Sequence, residues 1–152
     1  MGRRTLLICA AAVAVSCGPS TAPVQQTKKD ATEEAWYPKT TEDLNGIDRK
    51  AEAAFHAGDQ DKAAALIEQG KKLQEQLLEA RQPTLAAMQA VADLDELYGD
   101  MLFTNRNYGW ARMFYQKNLA RWKHFPEQND ETAKRVKLAE DGIAACDRKI
   151  MQ

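Results

Sequence analysis

From Thr41 onward, apolar residues return every three or four positions and β-branched runs are missing, which is the spacing of amphipathic helices. Leu44, Ile47, Ala51, Ala54 and Phe55 share one face of a first helix, predicted from Thr41 or Glu42 to Ala57 and capped by Thr40 or Thr41. Gly58 ends it. Asp59 is then placed to accept from the free amides of a second helix reaching Arg81, with Ala63, Leu66, Ile67, Gly70, Leu73, Leu77 and Ala80 in its stripe. Gln82-Pro83 breaks that pattern, because proline lacks the amide an interior turn needs. A third helix, Thr84 to Thr104, carries Leu85, Met88, Val91, Leu94, Leu97, Tyr98, Met101 and Leu102, with polar Gln89, Asp93, Glu96 and Asp100 opposite. Asn105-Arg106-Asn107 reads as a turn in which Asn supplies left-handed geometry and the next cap. The fourth helix, Asn107 to Phe125, presents Tyr108, Ala111, Phe114, Tyr115, Leu119, Trp122 and Phe125, and Pro126 follows it. A fifth, from Asp130 to Ile150, has a thinner stripe of Ala133, Val136, Ala139, Ile143, Cys146 and Ile150, as befits a capping helix covered on one side. The expected fold is all-α, about five helices in antiparallel hairpins with a C-terminal cap.

The residues ahead of this region follow other rules. Arg3 and Arg4 precede an apolar run from Leu6 to Val15 that closes on small residues, the outline of a secretory signal peptide. The run is about half of the ~20 residues that span hydrocarbon. Leu6 stands where N-myristoylation wants Ser or Thr. Ala14-Val15-Ser16-Cys17 resembles the lipobox of bacterial lipoproteins, and that resemblance implies acylation of Cys17 and an N-terminal lipid in a membrane. Arg3-Arg4-Thr5-Leu6-Leu7 also looks a little like a twin-arginine export signal, with general secretion the favoured route. In a host with two membranes, Gly18 after Cys17 resembles the sorting pattern for the outer membrane, facing the periplasm. From Gly18 to Thr40 no apolar period exists, so nothing there calls for packing apart from Trp36-Tyr37-Pro38, read as an aromatic plug on the bundle's edge or a contact with headgroups or a partner. The chain thus divides into a leader at 1–16, a lipidated Cys and tether at 17–40, and a helical domain at 41–152.

The helix pairs resemble tetratricopeptide repeats between Tyr98 and Tyr115. Tyr98-Gly99 matches the large-then-small pair of the repeat's first helix, Leu102 its next buried position, Tyr108 the opening of the second helix, and Ala111 and Tyr115 its small and large contacts. Ala51, Gly58-Asp59, Ala63, Ile67 and Gly70 echo that spacing in the first hairpin. Asp95 replaces the family's Trp, and Ala63 and Ala111 recur at a longer interval than its 34 residues. The resemblance implies a scaffold that binds another protein.

Charge and chemistry narrow the function without naming it. The chain has 21 Lys+Arg and 22 Asp+Glu; losing Arg3 and Arg4 with the leader leaves 19 against 22, which offers nucleic acid no electrostatic attraction. Cys9 leaves with the leader and Cys17 would carry lipid, so Cys146 has no disulfide partner. His56 and His124 lack a helical ligand partner, no Ser lies beyond Ser20, and no glycine-rich phosphate loop exists, so neither a catalytic set nor a metal or cofactor site is predicted. The acidic stripe Asp93, Glu96 and Asp100 reads either as a solvated face or as a surface for a cation or basic partner. Trp110 and Met113 fall off the fourth helix's main face; they either fill a second buried side or form a contact surface. Three functions stay open: an anchored protein-binding module, a spacer self-associating through Leu66, Leu73 and Leu77, and an accessory subunit of an enzyme acting on envelope polymers.

Overall fold

The computed structural model describes residues 29–152. Cys17, the leader and the first part of the tether lie outside the described residues. A single 3-10 turn, η1 (Ala31–Glu33), leads into five α-helices: α1 (Trp36–His56), α2 (Gln60–Leu77), α3 (Leu85–Thr104), α4 (Tyr108–His124) and α5 (Asp130–Ile150). The protein is all-α, built of helical hairpins, and no strand occurs among the described residues.

Local chemistry sets most of the helix ends. The Asp59 side chain accepts from the Lys62 amide at the start of α2, and Thr84 does the same for Ala87 at the start of α3. Asn129 and Thr132 form a reciprocal capping box at α5. Gly58 supplies the positive φ, +80°, that closes α1. Three expectations change. Helix α1 begins at Trp36, five residues before the expected Thr41, because Pro38 falls in its first turn, where no amide partner is needed. Thr40 and Thr41 are consequently buried inside the helix, with the Thr41 hydroxyl donating to the Tyr37 carbonyl, so the packed region reaches into the segment read as tether. Helix α2 stops at Leu77, and a turn rather than a helix carries the chain to Pro83. At the α3–α4 junction the left-handed residue is Arg106 (φ 61°), not an asparagine, and Asn107 stands at the cap position without a side-chain bond.

Helix α3 is the hub. It packs on α1 and α2 through one side and on α4 through the other, and α5 closes against α4. The main core joins Tyr37, Leu44 and Ala51 of α1, Ala63, Ile67 and Leu77 of α2, and Val91, Leu94 and Met101 of α3. Gly70 lets α2 approach: a Cβ there would lie 2.5 Å from Leu94. Smaller clusters hold Trp122 and Phe125 against Met88 and Ala92, and Tyr115 and Ala111 against Cys146. Trp122 is 1 % exposed, the largest side chain sealed in the interior. On α5, Thr132, Ala139 and Cys146 form the buried stripe, whereas the expected Ala133 and Ile150 are exposed. Leu77 is fully buried, and Leu66 and Leu73 are half-buried and pack on the main core.

Candidate functional site

Contacts between helices define their directions. Asp147 pairs with Arg112 and Glu140 with Lys123, so α5 runs antiparallel to α4. Tyr115 reaches Asp100 while Asn118 reaches Ala92, so α4 runs antiparallel to α3. Gln74 reaches Val91 while Gln60 reaches Asn105, so α2 runs antiparallel to α3, and the short turn at 57–59 reverses α1 onto α2. Helices α1, α3 and α5 therefore share a common direction, and together they line a groove of about 290 Å³. Its lining is Asp48 and Glu52 from α1, Asp93, Glu96, Leu97 and Asp100 from α3, and Arg135 from α5.

The groove is acidic with one embedded cation. Arg135 pairs with Asp93 and donates to Glu131 (3.0 Å), with Glu96 at 3.8 Å, while its guanidinium lies over the Trp122 ring. Glu131 outside the groove is held below the usual carboxylate range by its hydrogen bond from Arg135. Inside, the direction reverses. Burial, then repulsion from Asp93, raises Asp48 to about 6. Glu96 is raised by burial and then by Asp100, and burial likewise lifts Asp100 despite the hydrogen bond it accepts from the Tyr115 hydroxyl at 2.5 Å. The Tyr115 hydroxyl rises in turn, through burial and that same acidic partner. A charged stripe on a free helix would not show this; protein backs these carboxylates on several sides.

The residues singled out from sequence separate into two places. Asp93, Glu96 and Asp100 come together on the groove wall. Trp110 and Met113 lie on α4, which does not line the groove, and they are 63 % and 44 % exposed. They do not fill a second buried side of that helix; Phe114 does pack inward, edge-on against Tyr98, with the Lys117 ammonium over its ring. Asp95, which stands where the repeat pattern has Trp, is a buried carboxylate bound by Arg121 and, at 3.0 Å, by Lys117. Asp48, Glu52 and Arg135 escaped sequence reading because they come from other helices, although Asp48 and Glu52 stand one turn apart. Larger hollows, about 640 Å³ beside Lys29, Trp36 and Arg81 and about 650 Å³ along Lys39, Asp43 and Arg49, mix charges of both signs. They lack the convergence of three helices that marks the groove.

Among the described residues no cluster of three or more His, Cys, Asp or Glu is arranged to hold a metal ion, and no helix is long and apolar enough to cross a membrane. Cys146 is buried, its thiol raised by that burial, as expected of a side chain that packs rather than reacts. No family model, curated protein or solved structure matches this chain.

Proposed function

We propose that this chain is a lipoprotein of the bacterial envelope, anchored by acylated Cys17, whose helical domain is a protein-binding module of tetratricopeptide-like build. The observation that carries the binding role is the groove of α1, α3 and α5, where carboxylates from two helices surround a single arginine already engaged by its neighbours. A surface of that sign suits a segment bearing Lys or Arg, since charge complementarity steers encounter and sets register. Exposed Trp110 and Met113 supply a second contact of apolar character on the same domain. In a host with two membranes, the sorting resemblance at Gly18 supports a place for the module on the periplasmic side of the outer membrane. The spacer reading is less favoured, because Leu77 is fully buried and Leu66 and Leu73 are partly taken up by the main core.

Two experiments test this reading. Cys17→Ala is expected to move the protein from the membrane fraction to the soluble exported fraction, and undiminished membrane association would sink the anchor. A photo-crosslinking residue at Glu52 or at Trp110 in the native host is expected to capture the same protein from both positions. Asp93→Lys with Glu96→Lys is expected to abolish the Glu52 crosslink while helical circular dichroism is unchanged. Crosslinks that survive this charge reversal would remove the groove from the binding role.

A further inference from the structure

Asp48 occupies a position in the groove that electrostatics disfavours. Its Oδ1 is sealed from solvent and meets no hydrogen-bond donor among the described residues. An ionised carboxylate normally recruits donors, and one left without them loses hydration without replacement. The charges around Asp48 make this worse. Helix α3 turns Asp93 and Glu96 toward it and its own helix adds Glu52, all of which push its carboxyl up, while Arg49 on the same helix pulls the other way. Helix α5 brings Arg135, whose guanidinium is taken up by Asp93, Glu131 and Glu96. Helix α2, packed on the far side of α1, contributes no lining residue. A neutral carboxyl fits this setting better than a charged one: its O–H is a donor, and apart from Arg135 the polar side chains lining the groove are carboxylate acceptors.

We propose that the groove is a proton-operated joint: Asp48 takes up a proton on mild acidification and lets α1 settle against α3 and α5, and near neutrality it loses the proton and the joint is loosened by like charge. The device does not depend on the groove's having a partner. Its sign follows from linkage. A carboxyl raised to about 6 in the folded chain, against its ordinary value of 3.8 when unfolded, contributes stability that is complete below about pH 4 and lost as pH rises through about 6. Glu96 and Asp100, both raised, act in the same direction. Asp30 and Glu131, both lowered, act oppositely but only in stronger acid.

Urea unfolding of the full-length protein between pH 5 and pH 7.5 tests this. The wild-type midpoint is expected to fall across that interval, with most of the change below pH 7. Asp48→Asn keeps the shape and removes the charge, so its midpoint at pH 7.5 should exceed the wild-type value and its slope with pH should shrink. A wild-type midpoint that is flat or rises, or an Asp48→Asn variant with the full wild-type slope, overturns the joint. Should the variant not fold, the carboxyl carbon of Asp48 in the wild type decides by NMR titration. A midpoint near 6 supports the inference and one near 4 overturns it.

Discussion

Asp95 shows how a single residue can mislead a pattern and still be structural. It replaces an expected aromatic on α3, and its side chain is only 4 % exposed, which would be costly if left unpaired. Arg121, itself 12 % exposed, reaches it from α4 and also bonds the Asn118 side chain, whose amide donates to the Ala92 carbonyl. Lys117 adds a more exposed second contact. Arg121→Met is therefore expected to destabilise the domain by about 2 kcal/mol, less than the 3–5 kcal/mol typical of a broken buried pair because Lys117 remains. Asp95→Leu combined with Arg121→Met should recover most of that loss. Urea unfolding of the two variants measures it, and a double variant as weak as the single would show that the charge was not the issue.

Between elements, the decisive contact is Tyr115, wedged where α3, α4 and α5 meet. A Cβ at Gly142 would lie 2.8 Å from the ring near its Cγ, and one at Gly99 would lie 3.1 Å from its Cε1. The ring cannot retreat from either. Gly142→Ala is expected to destabilise, since overpacking of about 1–3 kcal/mol outweighs a helix-propensity gain of about 1 kcal/mol. Gly46→Ala, in α1 with nothing within 4 Å of the new methyl, should instead stabilise by about 0.5–1 kcal/mol. Thermal unfolding distinguishes the two, and equal effects would refute the wedge. This is also where sequence reading meets its limit. Helices α3 and α5 are legible nearly to the residue, because Thr84 and Asn129 are strong caps and the breaks before them contain proline. The start of α1 is not, because Thr40 and Thr41 look like caps while a proline tolerated in the first turn looks like a break. Periodicity likewise cannot separate a glycine that admits a neighbour from one that faces solvent.

For the whole molecule, the common direction of α1, α3 and α5 turns separate acidic positions into a wall. Glu52, Glu96 and their neighbours recur about 44 positions apart, a longer interval than the 34 of the tetratricopeptide unit. The α3 part of that wall is legible in sequence; Asp48, Glu52 and Arg135 join it only through packing. The same architecture has a mechanical side at the other end of the chain. The described part begins beside Asp30, whose carboxylate accepts from the Arg81 amide and guanidinium across the bundle. Arg81 is 81 % exposed, so this clasp resists little by itself. A pull applied ahead of Lys29 would first meet Ala31 and Trp36, packed on the core's rim, and then Tyr37, 2 % exposed. Because η1 is one turn, these contacts peel in succession instead of shearing together. Under load, the entry segment should behave as a fuse that yields a few residues of slack before α1 carries force. Single-molecule pulling from that side is expected to show a small, low-force extension ahead of the main rupture, and a single rupture from the outset would contradict it.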